Sequence, residues 1–570
     1  MPSPTLVEPN PSPIAPPRAG SRAPSHPVTM GLISAVLLWS TFPPAEWWWL
    51  AWVALVPLFL LVRSERSRPS IYLGAWVGGF AFWLLAIQWV RFTDDSAWLG
   101  WVVMALALSF WWPAFLVLAR LAVRRLRLPM MVAAPVVWVG LEYVRAYVLT
   151  GFPWYYLAHS HYRVANLIQL ADVTGALGIS FLIAMANAWW VDLATLPLLR
   201  PTGAGPRLTR PQVTRLAILG SLLAATLGYG TFRVTSARFR EGPRLALIQS
   251  SLLQSRKTAA KASEILAVYA RLIERAAGDP RRPDLIVWPE TSYPFRFVAI
   301  DPKIDPATFD RQAREVAPDS KPSDWLEGRR KVTAHLHEMT DRLRVPMLVG
   351  ALTYDFQRDG FSKYNSAILI EPGVATIQSY HKLHLVPFGE YVPLVDALPW
   401  LTALTPYRGT QVPSLNFGRE AAWFTLGRFG FAAAICFEDT VPQVVRRFFD
   451  ERKAGHPPDL LINQSNDGWF HGSAEHDMHL AVSIFRAIEN RVPLARAVNT
   501  GVSAFIDGNG RILESLPKLR EGVLARTIPL DDRTSLYSSW GDWLGLSCLA
   551  VTTGLIPLAW TRSVLRRRHA

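Results

Sequence analysis

A glutamate, a lysine and a cysteine each stand at a predicted strand end in the second half of this 570-residue chain. "DLIVWPE" ends in Glu290, "SYHKLHLVPFGEYVP" carries Lys382 and Glu390, and "FGFAAAICFED" stops at Cys436 with Glu438 and Asp439 directly behind it. A structural cysteine usually sits inside such a run, where it behaves as a small hydrophobe. This one stands at the C-terminal edge, where an open sheet presents its reacting groups. The thiolate is the nucleophilic form, and an unperturbed thiol ionises only near about 8.5. A carboxylate can take the thiol proton as general base, and an ammonium can stabilise both the thiolate and a tetrahedral oxyanion. Acid, amine and thiol together suffice for acyl transfer through a thioester. Taken singly, each residue has a plainer reading. Cys436 could be core, Glu290 a turn cap, Glu390 a structural partner, and Lys382, between His381 and His384, part of a solvated basic loop. Any one alone would be weak evidence for the chemistry.

These residues need a scaffold, and the composition describes two kinds. Half of the residues are hydrophobic, there are 24 tryptophans, and the formal charge is +15. So much tryptophan suits membrane interfaces, and "EWWWLAW" is most simply an interfacial anchor. The excess charge lies in short loops between apolar segments, which is a topology signal more than a nucleic-acid patch. Two cysteines, Cys436 and Cys548, exclude a disulfide framework and a structural zinc site of thiolates.

Residues 1–28, rich in Pro, Ser and Ala, suggest a disordered tail. Apolar segments follow at roughly 29–43, 46–62, 71–91, 98–119, 129–149, 166–196 and 214–233, giving a seven-helix region over 29–235. An eighth segment covers 543–561, and 562–570 is a basic tail. Arg63, Arg66 and Arg68, then Arg120, Arg124, Arg125 and Arg127, then Arg200, Arg207, Arg210 and Arg215, mark alternate loops. The positive-inside rule puts those loops and both termini in the cytoplasm and the stretch from 240 to 535 across the membrane. That stretch alternates apolar or β-branched runs with helical patterns, which predicts an α/β layered domain. No internal repeat and no metal-ligand spacing is present. His471, His476 and His479 lie on a polar helical pattern that predicts solvated or hydrogen-bonded rings rather than ligands.

The series "WPET", "HKLHLVPFGEYVP" and "CFED" resembles the Glu-Lys-Cys signature of the nitrilase (carbon–nitrogen hydrolase) superfamily. With the flanking spans, nearly the whole chain after the tail resembles the apolipoprotein N-acyltransferase family. "SNDGWF" downstream adds to the likeness. The resemblance implies an α/β protein: a four-layer αββα nitrilase-like sandwich inserted between seven N-terminal transmembrane helices and one C-terminal transmembrane helix. It implies Glu290 as base, Lys382 as oxyanion stabiliser and Cys436 as nucleophile, with Glu390, Asn365 of "KYNSAIL" and Glu438 in support. The chain departs at "NDGWFHGS", where the pattern leads one to expect alanine before the tryptophan and glycine soon after the phenylalanine. That departure bears on the loop around Trp469.

The same resemblance implies the reaction. An acyl chain passes from a phospholipid, typically phosphatidylethanolamine, to Cys436, and then to the α-amine of a diacylglyceryl-cysteine at an apolipoprotein N-terminus. No cofactor and no metal are expected, nor is nucleic acid; the setting is the bacterial inner membrane, with a monomer as the working unit. Water must be kept from a thioester. Tyr391 to Tyr407 is the candidate lid, with Tyr391, Trp400 and Trp469 as candidate substrate contacts. A membrane-tethered amidase using water would share the triad. A transporter with a degenerate accessory domain is disfavoured because the membrane segments carry few paired charges, Glu142 and Arg145 being the exception.

Overall fold

The computed structural model describes residues 26–94, 97–195, 199–200, 207–395, 397–404, 414–449 and 457–568. Most of the N-terminal tail and of the basic C-terminal end's side chains, and residues 396 and 405–407 of the candidate lid, lie outside the described residues.

Among the described residues, five helices have the length and hydropathy to cross a membrane: Arg68–Ala86, Ala97–Arg125, Ala176–Thr195, Arg210–Thr235 and Trp543–Arg562. This is fewer than the eight spans expected from hydropathy alone. Two of the missing ones are shorter apolar helices, Pro27–Trp39 and Trp48–Arg63. Thirteen residues of helix reach about 20 Å, short of a hydrocarbon core of about 30 Å. The third, Met130–Arg145, is 16 residues long, contains Pro135, and ends on Glu142 and Arg145. The segment expected at 166–196 is broken into Ala165–Ile168, Ala171–Thr174 and Ala176–Thr195, with Gly175 at φ +66° at the last break. The last helix continues through the expected basic tail as far as Arg568.

Small residues let these helices approach closely. A Cβ on Gly31 would lie 2.0 Å from the carbonyl oxygen of Gly74, so Pro27–Trp39 and Arg68–Ala86 meet backbone to backbone there. The loop arginines gather at one end of the bundle. Arg120 Nη1 donates to the carbonyl of Leu61 at 2.7 Å, Arg562 Nη1 to that of Leu126 at 3.1 Å, and Arg63 and Arg215 both pair with buried Asp192. Arg120 and Arg562 thus cap final carbonyls of neighbouring helices, where cations are favoured. Large apolar side chains such as Val36, Phe110, Val132, Phe232 and Leu558 remain exposed around the bundle, as a lipid-facing surface requires.

The rest of the chain forms two sheets. The seven-stranded sheet runs, edge to edge, Gly522–Asp531, Phe239–Gln249, Leu285–Val287, Met347–Gln357, Gly360–Ile370 and Gln378–His381, with Phe297–Ile300 pairing beside Met347–Gln357. The six-stranded sheet runs Ile512–Leu516, Ser503–Ile506, Leu494–Val498, Leu460–Ser465, Phe429–Ile435 and Trp423–Leu426. Side chains alternate between faces along a strand. Leu245 and Leu247 accordingly join the core that holds Ala432, Leu460 and Phe505 of the other sheet, whereas Ala246 and Ile248 pack beneath Ile265, Leu272 and Leu336 of the helices Ala262–Ala277 and Pro322–Leu343.

Each sheet has a central block of parallel strands whose C-terminal ends lie together. Polar bonds join those ends across the sheets. Gln464 Nε2 donates to the carbonyl of Trp288 at 2.7 Å, and Ser250 Oγ donates to Asn499 Oδ1 at 2.6 Å. Cys436 follows one such end, Glu290 another, and Lys382 the strand Gln378–His381. Gly350 makes room for the Glu290 turn: a Cβ there would lie 2.3 Å from the carbonyl oxygen of Pro289.

The expected polar helix is Ala474–Asn490, and it is buried along its length, His476, His479 and Arg486 included. Of the two alternatives expected for His476 and His479, solvated or hydrogen-bonded, the second holds: His476 Nε2 meets the carbonyl of Asp467 at 3.0 Å and His479 Nε2 meets Asp439 at 2.7 Å. The polar groups of the helix meet other buried polar groups instead of water: His479 and Ser483 reach Asp439, and Glu489 reaches the membrane half. Glu489 Oε1 accepts the N–H of Ala176 at 3.0 Å. Just past the helix, Arg491 Nε donates to Asp172 Oδ2 at 2.9 Å, and Asp172 also takes Arg233 at 2.9 Å and the Tyr229 hydroxyl at 2.8 Å. This junction lies at the end of the bundle away from the arginine-capped carbonyls.

Candidate active site

The chain turns sharply at Cys436. The strand Phe429–Ile435 ends, and the cysteine takes φ +52°, a left-handed conformation that is costly for a residue with a side chain and is held only where surroundings over-determine it. Glu438 supplies much of that hold. Its Oε2 accepts the N–H of Ile435 at 2.6 Å, while Oε1 accepts the N–H of Leu383 at 2.6 Å, that of His384 at 3.0 Å and the Tyr380 hydroxyl at 2.8 Å. One fully buried carboxylate therefore ties the turn after Cys436 to the turn after Lys382.

Lys382 is 1% exposed, so the solvated-loop reading fails. Its Nζ lies 2.9 Å from Glu390 Oε2 and 3.2 Å from Glu290 Oε1. Asn365, in mid-strand, reaches both acids: its Nδ2 donates to Glu290 Oε1 at 2.7 Å and to Glu390 Oε1 at 2.9 Å. The other Glu290 oxygen accepts the N–H of Asn466 at 2.9 Å. Glu390 Oε2 also accepts the N–H of Val386 at 2.8 Å, which closes the loop between lysine and acid. Five of the six sequence-derived residues, Glu290, Asn365, Lys382, Glu390 and Glu438, are thus bonded in two linked sets, and Cys436 sits against them.

Burial works against the Lys382 charge, but the Glu290 and Glu390 carboxylates outweigh it and hold the ammonium well above its ordinary range. Burial pushes the Cys436 thiol up, Glu290 pushes it further, and Lys382 only partly offsets them. At rest the group is therefore a neutral thiol beside an ammonium and carboxylates. A thiol so held needs a base to take its proton before it can attack a carbonyl.

The flanking histidines are neutral and packed. Burial, then Lys382, lowers His384 to about 4, and its ring stacks on Phe437 at 5.8 Å. His381 stacks on Tyr364 at 4.3 Å. Of the candidate substrate contacts, Trp400 is 63% exposed, Tyr391 is half-buried with its ring 4.9 Å from Phe417, and Trp469 is half-buried in the loop after Asn466. They do not join the bonded group. Cys548 lies buried in the last helix and is a free thiol, as is Cys436.

Lys257, Asp467, Glu475 and Arg496 were not picked out from sequence. Lys257 donates from Nζ to Thr291 Oγ1 at 3.2 Å, next to Glu290, and burial lowers it to about 8 against the pull of Glu290. Behind Cys436, His479 Nε2 meets Asp439 Oδ1 at 2.7 Å, and Arg496 Nη1 donates to Asp439 Oδ2 at 3.0 Å. His479 Nδ1 lies 3.5 Å from both Asp467 and Glu475. Asp467, Glu475 and His479 have the types and proximity of a metal-binding group. The histidine, however, has both ring nitrogens turned to carboxylates. Burial and Arg496 oppose its protonation, yet Asp439 and Asp467 hold it well above its usual range. With both ring nitrogens turned to carboxylates and Arg496 on Asp439, the cluster as it stands is a buried ion-pair network.

Residues 34–189 match the family model of the apolipoprotein N-acyltransferase N-terminal domain, and residues 244–537 match the carbon-nitrogen hydrolase model. An apolipoprotein N-acyltransferase of Geobacter metallireducens is 31% identical over 555 residues, covering 96% of this chain and 97% of its own length. One of Rhodopirellula baltica is 28% identical over 571 residues, covering 94% and 98%. A CN-hydrolase superfamily protein of Xanthomonas campestris superimposes with a TM-score of 0.33 at 19% identity, over 51% of this chain and 91% of that one.

Proposed function

The chain belongs to the apolipoprotein N-acyltransferase family and is an acyltransferase with a carbon–nitrogen hydrolase domain, and from that premise we propose a two-step reaction through Cys436. Glu290 takes the Cys436 proton, and the thiolate attacks an acyl ester of a phospholipid, phosphatidylethanolamine being the donor of choice. Lys382 stabilises the tetrahedral oxyanion. The carbon–oxygen bond breaks, the proton returns through Glu290 to the leaving alkoxide, and a lysophospholipid departs from a thioester. The α-amine of a diacylglyceryl-cysteine then attacks the thioester, losing a proton to Glu290. Breaking the carbon–sulfur bond leaves an amide, and the Cys436 thiol recovers its proton.

The observation that carries this reading is the buried Lys382 ammonium, 3.2 Å from Glu290 and 2.9 Å from Glu390, with its charge felt at Cys436. Glu390 and Asn365 act as positioning residues for the lysine and the base. The finer architecture belongs to the same proposal: a four-layer αββα domain between seven membrane helices and one. So does its placement, with the arginine-capped end of the bundle and both termini in the cytoplasm and the catalytic half in the periplasm. The clustering of Arg63, Arg120, Arg215 and Arg562 at the end away from the catalytic half supports that orientation. The working unit is a monomer.

The test is incubation of the protein with acyl-labelled phospholipid and a diacylated lipopeptide. Label on the lipopeptide α-amine is expected; label released only as free fatty acid would favour a tethered hydrolase and refute the transferase reading.

A further inference from the structure

We infer that a cavity beside the Glu290 turn binds the peptide segment that follows the lipidated cysteine of the acceptor. The cavity measures about 370 Å³ and is lined by Thr93, Gln254, Ser255, Thr258, Ala259, Trp469 and His471. The inference rests on the acceptor reading above and adds to it the place where the acceptor's protein part is held.

The cavity is wired to the base. Gln254 Oε1 accepts Asn466 Nδ2 at 3.0 Å, and the N–H of that same Asn466 donates to Glu290 Oε2 at 2.9 Å. The helix that supplies four of the walls, Gln254–Ala259, also carries Lys257, whose Nζ donates to Thr291 beside Glu290. A single residue, Asn466, therefore links the cavity wall to the base.

Its position suits a molecule that is half lipid and half peptide. Thr93 belongs to the membrane half, just after the turn Gln88–Phe92, and Trp469 and His471 belong to the catalytic loop. The same loop rests on the membrane half through Phe470, whose ring lies 5.1 Å from that of Trp89. The acceptor's acyl chains must stay in the bilayer while its α-amine reaches Cys436. Its polypeptide then has to leave between these two halves.

The wall chemistry separates a peptide from a phospholipid headgroup. Six of the seven lining side chains carry a hydrogen-bonding group, and only Ala259 is aliphatic. An extended peptide offers a donor and an acceptor at every residue for these groups and apolar side chains for the rest of the wall. A phospholipid headgroup would bring a phosphate, yet none of these lining residues is a lysine or an arginine. The volume lies within the roughly 300–1,000 Å³ of small-ligand sites. The departure at "DGWFHGS" contributes His471, at φ +51°, to this wall. Trp469, a candidate contact from sequence, thus finds its use on the peptide side rather than on the lipid side.

The experiment compares two acceptors: a diacylated lipopeptide of ten residues, and diacylglyceryl-cysteine amide without a peptide. Thr258→Trp fills the cavity. It should lower kcat/KM for the lipopeptide about tenfold or more, leave the peptide-free acceptor within about twofold, and leave the rate of Cys436 acylation by phospholipid unchanged. Ser255→Ala removes one bonding group without adding bulk, and should raise KM for the lipopeptide alone. Equal effects on both acceptors, or no effect of either substitution, would overturn the assignment. Slowed acylation of Cys436 by both variants would also overturn it, by putting the donor there. Failure of the parent protein to acylate either acceptor would instead sink the acceptor reading itself.

Discussion

Glu438 Oε1 accepts the backbone N–H of Leu383 at 2.6 Å, so the residue two places after the nucleophile holds the residue directly after the lysine. The carboxylate fixes Lys382 relative to Cys436 without having to touch substrate. Glu438→Ala would remove the acceptor of four donors and leave the buried Ile435 N–H and Tyr380 hydroxyl without it, each at about 1–3 kcal/mol. That variant should lose its folded state under conditions where the parent is stable. Glu438→Gln keeps shape but offers one acceptor oxygen, and should slow Cys436 acylation by about tenfold or more while phospholipid binding stays near normal. Single-turnover acylation measured beside lipid binding checks this, and a parent-like rate would make Glu438 a bystander.

Stability should carry the signature of the same group. Burial raises the Glu438 carboxyl to about 7, with the bond from Ile435 and the Lys382 charge opposing. In the unfolded chain a glutamate titrates near about 4.3. Between those values the folded protein binds the proton more tightly, so this group's contribution to stability falls as pH rises from about 4.5 to about 7 and is level above. Glu438→Gln cannot titrate. The variant's melting temperature should therefore gain on the parent's between pH 5 and pH 7.5. A constant difference would contradict the raised carboxyl.

The strand-end chemistry was legible because it lies in short strings: an apolar run before Glu290 and before Cys436, and the string "HKLHLVPFGEYVP" around Lys382. Those strings gave Glu290, Lys382 and Cys436, and the family pattern added Glu390, Asn365 and Glu438. The helix Ala474–Asn490 was legible as a helix, but its burial was not. Its His479, Arg486 and Glu489 look like a solvated face, because sequence does not show that Asp439 and the start of the helix Ala176–Thr195 are their partners. The span count suffered similarly. Hydropathy does not register that Gly175 breaks a segment, or that Pro27–Trp39 is too short to cross alone.

Asp172 draws together Arg233, Tyr229 and Arg491 where the two halves meet. Removing one partner from a buried charged cluster costs about 3–5 kcal/mol, because the others are left uncompensated. Asp172→Ala should therefore lower the melting temperature clearly in detergent, and Asp172→Ala with Arg491→Met should recover part of the loss. Additive losses in the double variant would show that the two residues act separately.

The central claim is that an acyl chain rests on Cys436 between donor and acceptor, and omitting the acceptor tests it most directly. Protein mixed with phospholipid alone should gain the mass of one acyl chain. The mass should map to the Cys436 peptide, be removed by hydroxylamine, and disappear when diacylated lipopeptide is added. Cys436→Ser should gain none, and Cys548→Ser should behave as the parent. An adduct elsewhere, full lipopeptide acylation by Cys436→Ser, or rapid multiple-turnover release of fatty acid without lipopeptide would contradict the account.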